Sequence, residues 1–415
     1  MGRGHPVAEE TRQILPDKKG RVARKLRISV TDRCNFSCLF CMPSRSNIHW
    51  ISDAELLTFD EITRITRLLC SLGIKKVRIT GGEPLLREGI ETLVGSLSRI
   101  KGIESIDMTT NGWFLSLDKA RELRRAGLHG ITVSLHSMKR DRFAKISGTD
   151  GLQRVIDSID AAREAGLSPI KINTVAISGY NDDEIIDFVN FARDRSLSLR
   201  FIEFMPLDGL NAWSPEMVLS GRQILDIISK KHYKLRAQER KPGDTATVYG
   251  FEGDDESELD GRGFKGDIGL ITPVSKPFCD DCDRIRLTAD GKLLTCLFDT
   301  NYYDLKPYMR NKESDAYKEQ DPMKDLDLLA NSNFGVFKKN RKEPNRNRHR
   351  YHQQQRRKPE LYKGARTAAL EEDCPLAEYI TKCIEKKPPG IAYMMPLTLE
   401  RMHEKRPRAM HAIGG

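Results

Sequence analysis

The sequence predicts an α/β fold built around a parallel β-sheet, and three observations support that prediction. Short runs of β-branched and aliphatic residues alternate with longer runs between residue 26 and about residue 205. In the longer runs, apolar residues recur at helical spacing. Unusual polar residues follow the ends of successive short runs. Such alternation makes neighbouring strands parallel through right-handed crossovers, in either a doubly wound sheet or an incomplete barrel.

The predicted elements follow one another in a regular order. Six strands are expected at 26–31, 75–80, 104–110, 130–136, 169–177 and 199–205. Five helices are expected between them, at 59–72, 88–100, 117–126, 151–165 and 182–195. The first helix shows the signals used: Thr58 and Glu61 have capping-box spacing, and Gly73 follows the last apolar residue.

Special residues cluster where the strands end. They are Cys34, the stretch GGEP at 81–84, the stretch TTNG at 109–112, Ser134 with His136, Lys171 with Asn173, and Glu203 with Met205. Because the ends of parallel strands meet at one edge, these residues predict a single active-site mouth.

The remainder of the chain differs in composition. A strand is expected at 267–274, and ADG at 289–291 predicts a hairpin turn. A helical pattern returns at 375–387. We predict five segments: an N-terminal extension (1–24), the repeating region (25–215), a second cysteine-bearing region (216–312), a polar basic insert that we expect to be disordered (313–366), and a helix with a C-terminal tail (367–415).

The net charge of +10 resides in one segment. Residues 338–366 contain twelve Lys and Arg against Glu343 and Glu360, so the rest of the chain is balanced. Tyr351 and Tyr362 are the aromatic residues of that segment, too few for a stacking surface, so nucleic-acid binding is not expected. No apolar run is long enough to cross a membrane, and the first 20 residues have no apolar signal segment. We therefore expect a cytoplasmic protein.

Six of the nine cysteines form two groups of three. The first, Cys34, Cys38 and Cys41, has the spacing C-x3-C-x2-C. The second, Cys279, Cys282 and Cys296, has the spacing C-x2-C-x13-C. Structural zinc usually takes four ligands, whereas three thiolates suit a cubane iron–sulfur cluster with one iron left open. Zinc remains an alternative, above all for the second group, and so do disulfides or buried thiols.

The stretch CNFSCLFC after the first strand, with GGEP after the second, resembles the radical S-adenosylmethionine superfamily. Further blocks, among them RFIEFMP and FCDDCDRIRLTADGKLLTCLF, resemble the GTP 3′,8-cyclases of molybdenum cofactor biosynthesis within it. The similarity covers most of 25–312 and returns at the terminal Gly414-Gly415. It implies a partial (β/α)6 TIM-type barrel at 25–215 and a C-terminal auxiliary-cluster region at 216–312.

The resemblance also implies cofactors and site residues. Two [4Fe–4S] clusters would be held by Cys34, Cys38 and Cys41 and by Cys279, Cys282 and Cys296. S-adenosylmethionine would contact Phe40, Gly82, Ser134 and Met205. GTP would be bound by Arg27, Arg78, Thr109, Lys171 and the run Arg284-Ile285-Arg286. The tail bearing Gly414 and Gly415 would enter the mouth and take part in catalysis.

The implied reaction is a lyase reaction in which GTP is cyclised between ribose C3′ and guanine C8. The implied partners are GTP, a downstream cyclic pyranopterin monophosphate synthase and an electron donor; a homodimer stays open. Two positions depart from the family: Phe40 replaces a tyrosine, and His136 replaces an aspartate. A peptide maturase with an auxiliary cluster and a zinc-bearing nucleic-acid binder are the alternatives.

Overall fold

A computed structural model describes residues 16–42, 48–207, 213–231, 233–251, 266–299, 301–310, 374–388 and 390. These residues form one twelve-stranded sheet with the order β12-β11-β10-β1-β2-β3-β4-β5-β6-β9-β8-β7. Its strands are β1 (Lys25–Ser29), β2 (Lys76–Thr80), β3 (Ser105–Thr110), β4 (Gly130–Ser134), β5 (Ile170–Ala176), β6 (Ser198–Glu203), β7 (Leu235–Ala237), β8 (Thr247–Phe251), β9 (Asp267–Ile271), β10 (Arg284–Leu287), β11 (Lys292–Leu294) and β12 (Tyr303–Asp304). The eight central strands, from β10 to β9, are parallel, and the outer ones are antiparallel.

Within the described residues, seven α-helices lie between strands in chain order, and two follow the last strand. They are α1 (Phe59–Ser71), α2 (Ile90–Ser98), α3 (Leu117–Ala126), α4 (Arg140–Ser147), α5 (Leu152–Glu164), α6 (Ile185–Asp194), α7 (Gly221–Ser229), α8 (Lys306–Arg310) and α9 (Cys374–Glu385). The capping box of α1 forms as predicted, with the Glu61 amide donating to Thr58 Oγ1 at 3.1 Å and the Thr58 amide donating to Glu61 Oε2 at 2.8 Å.

All six predicted strands and all five predicted helices of the repeating region are confirmed, although the ends of most elements shift by a few residues. The prediction of one helix per crossover is wrong between β4 and β5, where α4 precedes α5. The sequence interpretation also omitted α7 and the outer strands β7 and β8. The hairpin at 289–291 is confirmed, because β10 and β11 pair antiparallel across it.

One face of the parallel strands carries the helices and the other borders a cavity. Along β1, Leu26 and Ile28 are fully buried, whereas Arg27 between them lines the cavity. Neighbouring helices contact each other in series, α1 with α2, α2 with α3 and α3 with α5, as members of one layer do. A doubly wound sheet would place helices on both faces. The sheet ends at β12 and β7, which are not paired with each other. The predicted fold class, an α/β partial barrel, is confirmed.

The chain divides into two compact units, Met1–Lys306 with Thr381–Gly415, and Pro307–Ile380. The complete sheet belongs to the first unit. In the second, the rings of Tyr308 and Tyr379 stack at 4.6 Å. The predicted insert at 313–366 and the Gly414-Gly415 tail lie outside the described residues, and the five predicted segments stay a prediction. Across the described residues, no helix combines the length and apolarity that crossing a membrane requires.

Candidate active site

Two adjoining cavities open at the carboxyl edge of the parallel strands. The smaller, of about 120 Å³, is lined by Cys34, Cys38 and Cys41. The larger, of about 280 Å³, is lined by Cys279, Cys282 and Cys296. Phe40, Thr109, Ser134 and His136 line both, and they mark what we call the junction. The fold therefore brings the two cysteine groups, 238 or more residues apart in sequence, to one continuous site.

The first cysteine loop is held by the GGEP turn. The amide of Gly82 donates to Thr31 O at 2.7 Å, and the amide of Glu83 donates to Arg33 O at 2.8 Å. A Cβ on Gly82 would lie 2.0 Å from Arg33 O, so this approach requires glycine.

Glu83 connects this turn to the cysteine itself. Its buried carboxylate accepts hydrogen bonds from Thr110 Oγ1 at 2.6 Å and from the Asn111 amide at 2.7 Å. Asn111 Nδ2 in turn lies 3.8 Å from Cys34 Sγ as a donor. Burial raises the pKa of Glu83 to about 7, although these donors act in the opposite direction. A simple turn would not need a glutamate. Glu83 thus holds Asn111, which is the donor to Cys34.

Helix α4, missed in the sequence, supports the other side of the cysteine loop. The amides of Ser37 and Leu39 donate to the carbonyls of Ser147 and Ile146, at 2.9 and 3.0 Å. Gly148 ends the helix with φ of +69°, and a Cβ there would lie 2.9 Å from Ser37 Cβ. The end of α4 and the cysteine loop therefore form one packed unit.

Two buried basic residues hold the second cysteine group. Arg21 donates to Cys279 O at 2.9 Å and to Pro388 O at 2.7 Å, while Asp17 pairs with its Nε at 2.6 Å. Lys387 Nζ donates to the carbonyls of Cys282 and Arg284, both at 2.9 Å. These contacts tie the segment after α9 to the cysteine loop.

The environment of both groups fits thiolate ligands. Sulfur atoms accept N–H donors: Cys34 Sγ from the Phe36 amide at 3.4 Å, and Cys282 Sγ from Arg284 Nη2 at 3.5 Å. Burial favours the neutral thiol of Cys282, but Arg284 and Lys387 outweigh it and bring the pKa to about 7. All six cysteines are free of disulfides. Within the described ranges, no three His, Cys, Asp or Glu side chains gather closely enough to share a single metal ion. The N–H groups that donate to Cys34 and Cys282 suit sulfur atoms that act as thiolate ligands.

Strand register builds a row of arginines on the cavity wall. Arg286, Arg27 and Arg78 are register partners on β10, β1 and β2. Neighbouring strands lie about 4.8 Å apart, so the three guanidinium groups stand side by side. Arg78 is neutralised by Asp107 at 3.2 Å and donates to Thr132 Oγ1 at 2.7 Å. The row is the most concentrated positive charge at the site.

Arg27 is the residue most affected by this crowding. Burial and the charges of Arg286, Arg284 and Arg78 lower its pKa well below the usual value. Burial, Arg78 and Arg200 likewise lower the pKa of Lys171. No acidic side chain of the described chain lies within ion-pair distance of either residue. Buried cations this close to one another favour an anionic ligand such as a phosphate.

Most sequence-predicted site residues line these cavities. Gly82 borders the smaller one; Arg27, Arg78, Lys171, Met205, Arg284 and Arg286 border the larger; Phe40, Thr109 and Ser134 border both. Ile285 is fully buried, so its side chain faces away from the cavity that Arg284 and Arg286 line. Met205 packs against the same small core cluster, Leu207 and Phe298, as Cys279 and Cys296 do. The role of each residue stays a prediction.

Glu203 is not part of the lining, contrary to our expectation. Its buried carboxylate accepts hydrogen bonds from the amides of Val274 and Ser275, both at 2.9 Å, and Gly221 at 3.1 Å. It fixes the loop that leads to Cys279, so its contribution is structural.

Sequence reasoning overlooked Arg200, Arg21 and Lys387. Arg200 lines the larger cavity and pairs with Asp267, and a Cβ on the neighbouring Gly269 would lie 2.5 Å from Arg200 Cδ. The glycine was a usable signal, since a strand interior rarely benefits from one. Arg21 and Lys387 act across 258 and 105 residues, and no local pattern indicates them.

Comparison with known proteins agrees with this site. Residues 28–192 match the Radical SAM superfamily, and residues 197–325 match the family described as Molybdenum Cofactor Synthesis C. A GTP 3′,8-cyclase of Rhodopirellula baltica is 42% identical over 313 residues, covering 74% of this chain and 84% of that protein. A GTP 3′,8-cyclase of Aquifex aeolicus is 41% identical, covering 71% and 88%. This chain belongs to the GTP 3′,8-cyclase family. Membership of the radical SAM superfamily implies a [4Fe–4S] cluster and S-adenosylmethionine.

Two further similarities complete the comparison. Molybdenum cofactor biosynthesis protein 1 of Dictyostelium discoideum is 40% identical over 74% of this chain and 47% of its own length. The crystal structure of Streptococcus suis SuiB bound to S-adenosylmethionine has a TM-score of 0.49 at 15% identity, covering 75% of this chain and 67% of that one.

Proposed function

We propose that the protein is a radical S-adenosylmethionine lyase that cyclises GTP to (8S)-3′,8-cyclo-7,8-dihydroguanosine 5′-triphosphate, the first step of molybdenum cofactor biosynthesis. The observation that carries the proposal is the pair of adjoining cavities, each lined by three cysteines, joined beside an arginine row. Family membership supplies the reaction class.

Cys34, Cys38 and Cys41 would hold the first [4Fe–4S] cluster, with Asn111 and the Phe36 amide donating to Cys34. When bound, this group would supply the electron for cleavage of S-adenosylmethionine, and the site would hold the adenosyl group beside the C3′ hydrogen of GTP. Phe40, Gly82, Ser134 and Met205 would position S-adenosylmethionine.

The arginine row would bind the triphosphate. Arg27, Arg78, Arg286 and Lys171 present fixed donors inside a cavity, where charge-assisted hydrogen bonds are strong because water is displaced. Thr109 would contribute a hydroxyl, Arg284 would contact the nucleotide through its side chain, and Ile285, whose side chain is buried, would do so through its backbone. Placing the charge partner of the crowded arginines on the substrate explains why the protein does not pair Arg27 internally.

Cys279, Cys282 and Cys296 would hold a second [4Fe–4S] cluster beside the purine. Arg284 supports a bound group at this position. Its buried Nε has no hydrogen-bond partner in the described structure, and its Cζ lies 4.9 Å from the centroid of the Phe278 ring. Gly414 and Gly415 would close the mouth. A cytoplasmic location, an electron donor and a downstream cyclic pyranopterin monophosphate synthase belong to the same proposal, and a homodimer stays open.

The test is an anaerobic assay with iron, sulfide, reductant and S-adenosylmethionine. We expect release of 5′-deoxyadenosine that depends on GTP and is abolished by Cys34→Ser. A matched reaction with ATP, which has the same ribose and triphosphate, should show only background release, because the proposed site would select the guanine base. A peptide maturase would instead release 5′-deoxyadenosine without a GTP requirement, and that result would overturn the proposal.

A further inference from the structure

His136 stands at the junction of the two cavities with one ring nitrogen committed. Its Nδ1 accepts a hydrogen bond from the Val175 amide at 3.2 Å. The residue is 5% exposed, and its ring lies edge-on to Phe40 with centroids 4.6 Å apart. An imidazole that accepts at Nδ1 and is neutral must carry its proton at Nε2. Burial lowers the pKa of His136 to about 3, which keeps the ring neutral at physiological pH.

The second ring nitrogen has no protein partner among the described residues. The hydrogen bonds of His136 use Nδ1 and the backbone carbonyl, and none uses Nε2. The residue lines both cavities. A buried, neutral donor without a protein acceptor therefore lies at the junction.

We propose that His136 is a ligand-positioning residue whose Nε2–H donates to a ribose hydroxyl oxygen at the junction. The inference rests on the proposed function, which brings two nucleosides together there: the adenosyl group from the smaller cavity and the GTP ribose from the larger. Ribose oxygens are uncharged acceptors, and a donor that stays neutral adds no charge beside the arginine row. The two possible sources, S-adenosylmethionine and GTP, have the same acceptor chemistry.

Two substitutions separate this role from a structural one. His136→Asn keeps an acceptor near the Nδ1 position for the Val175 amide but cannot reach the junction. His136→Gln places an amide N–H near the Nε2 position. We expect the Asn variant to lose about three- to tenfold in ligand affinity, the range for one neutral hydrogen bond. The Gln variant should stay within about twofold of the wild type. Both should unfold near the wild-type urea concentration.

The measurements are dissociation constants for S-adenosylmethionine and for GTP with the cluster-reconstituted, full-length protein. A selective loss for S-adenosylmethionine assigns the adenosyl ribose, and one for GTP assigns the substrate ribose. 2′-Deoxy-GTP is then compared with GTP. If the wild type binds 2′-deoxy-GTP more weakly than GTP and the Asn variant binds both equally, the 2′-hydroxyl is the acceptor. An Asn variant that binds both ligands like the wild type, or a Gln variant that falls equally, overturns the inference. If the wild type shows no GTP-dependent turnover, the proposed function fails, whereas S-adenosylmethionine binding still tests His136.

Discussion

Replacing Gly82 by alanine should open the first cysteine loop. The new Cβ would lie 2.0 Å from Arg33 O, 2.4 Å from Arg33 C and 2.8 Å from Asp32 O. Carbon and oxygen need about 3.2 Å, so the Arg33 peptide must move by roughly 1 Å, and such overpacking costs about 1–3 kcal/mol. The amide of Glu83 donates to Arg33 O at 2.8 Å, and a weakened bond there adds about 1 kcal/mol. Because Cys34 follows Arg33 directly, the displacement should fall on a cluster ligand.

The assay combines urea unfolding with iron analysis in a background where Cys279, Cys282 and Cys296 are alanine. We expect Gly82→Ala to unfold about 2–4 kcal/mol below the background protein and to hold well under the roughly four iron of a complete cubane. Gly95→Ala, inside helix α2, is the matched control. A Cβ there would have Arg99 Nη1 and Ala126 O as its nearest atoms, at 3.9 and 4.0 Å, so the substitution should leave stability unchanged or raise it. A Gly82→Ala protein with full iron and the stability of Gly95→Ala would refute the reasoning.

Three further predictions concern charge. Lys387→Met leaves the carbonyls of Cys282 and Arg284 without their donor, so the unfolding free energy should fall by about 2–5 kcal/mol. The iron content should fall towards that of a single cluster. A Lys387→Met protein as stable as the control Lys386→Met would contradict this. Arg27→Met removes a buried cation that is crowded by other arginines, so urea unfolding should show a more stable protein. GTP affinity, measured by titration, should fall by about tenfold or more, and loss of both stability and affinity would count against this reasoning. The pKa of Glu83 is raised to about 7, so its protonated form stabilises the folded state below about pH 4.5 and this advantage is lost by about pH 7. Between about pH 4.5 and pH 7, the unfolding free energy of the wild type should therefore fall by about 3 kcal/mol relative to that of Glu83→Gln. Equal pH dependence of the unfolding free energy in the two proteins would exclude the effect.

Local patterns were sufficient for the elements that build the mouth. Thr58, Glu61 and Gly73 marked both ends of α1. The family resemblance, rather than a local pattern, indicated Arg27, Arg78 and Lys171, which line the larger cavity. Helix α4 was missed because it spans eight residues and its N-cap, Lys139, makes no side-chain capping hydrogen bond. Helix α7 was available to the same reasoning, since Ser220 and Gln223 form a capping box.

Other features depend on contacts that no sequence window contains. The alignment of Arg286 with Arg27 follows from β10 joining the sheet beside β1, which spacing along the chain does not indicate. The same applies to Lys387, which a sequence alone would place in a solvated basic tail. Glu203 was assigned to the mouth because it ends β6, yet three backbone amides occupy its carboxylate. A residue's position at a strand end predicts that it lies near the site, but not whether its side chain points into the cavity or binds the backbone.

The most direct test of the central claim follows one hydrogen atom. The reconstituted protein is incubated anaerobically with S-adenosylmethionine and GTP deuterated at ribose C3′, and the released 5′-deoxyadenosine is analysed by mass spectrometry. The account predicts one deuterium in that product, because the junction brings the adenosyl group to the GTP ribose. Release of 5′-deoxyadenosine without deuterium, in the presence of bound GTP, would contradict it.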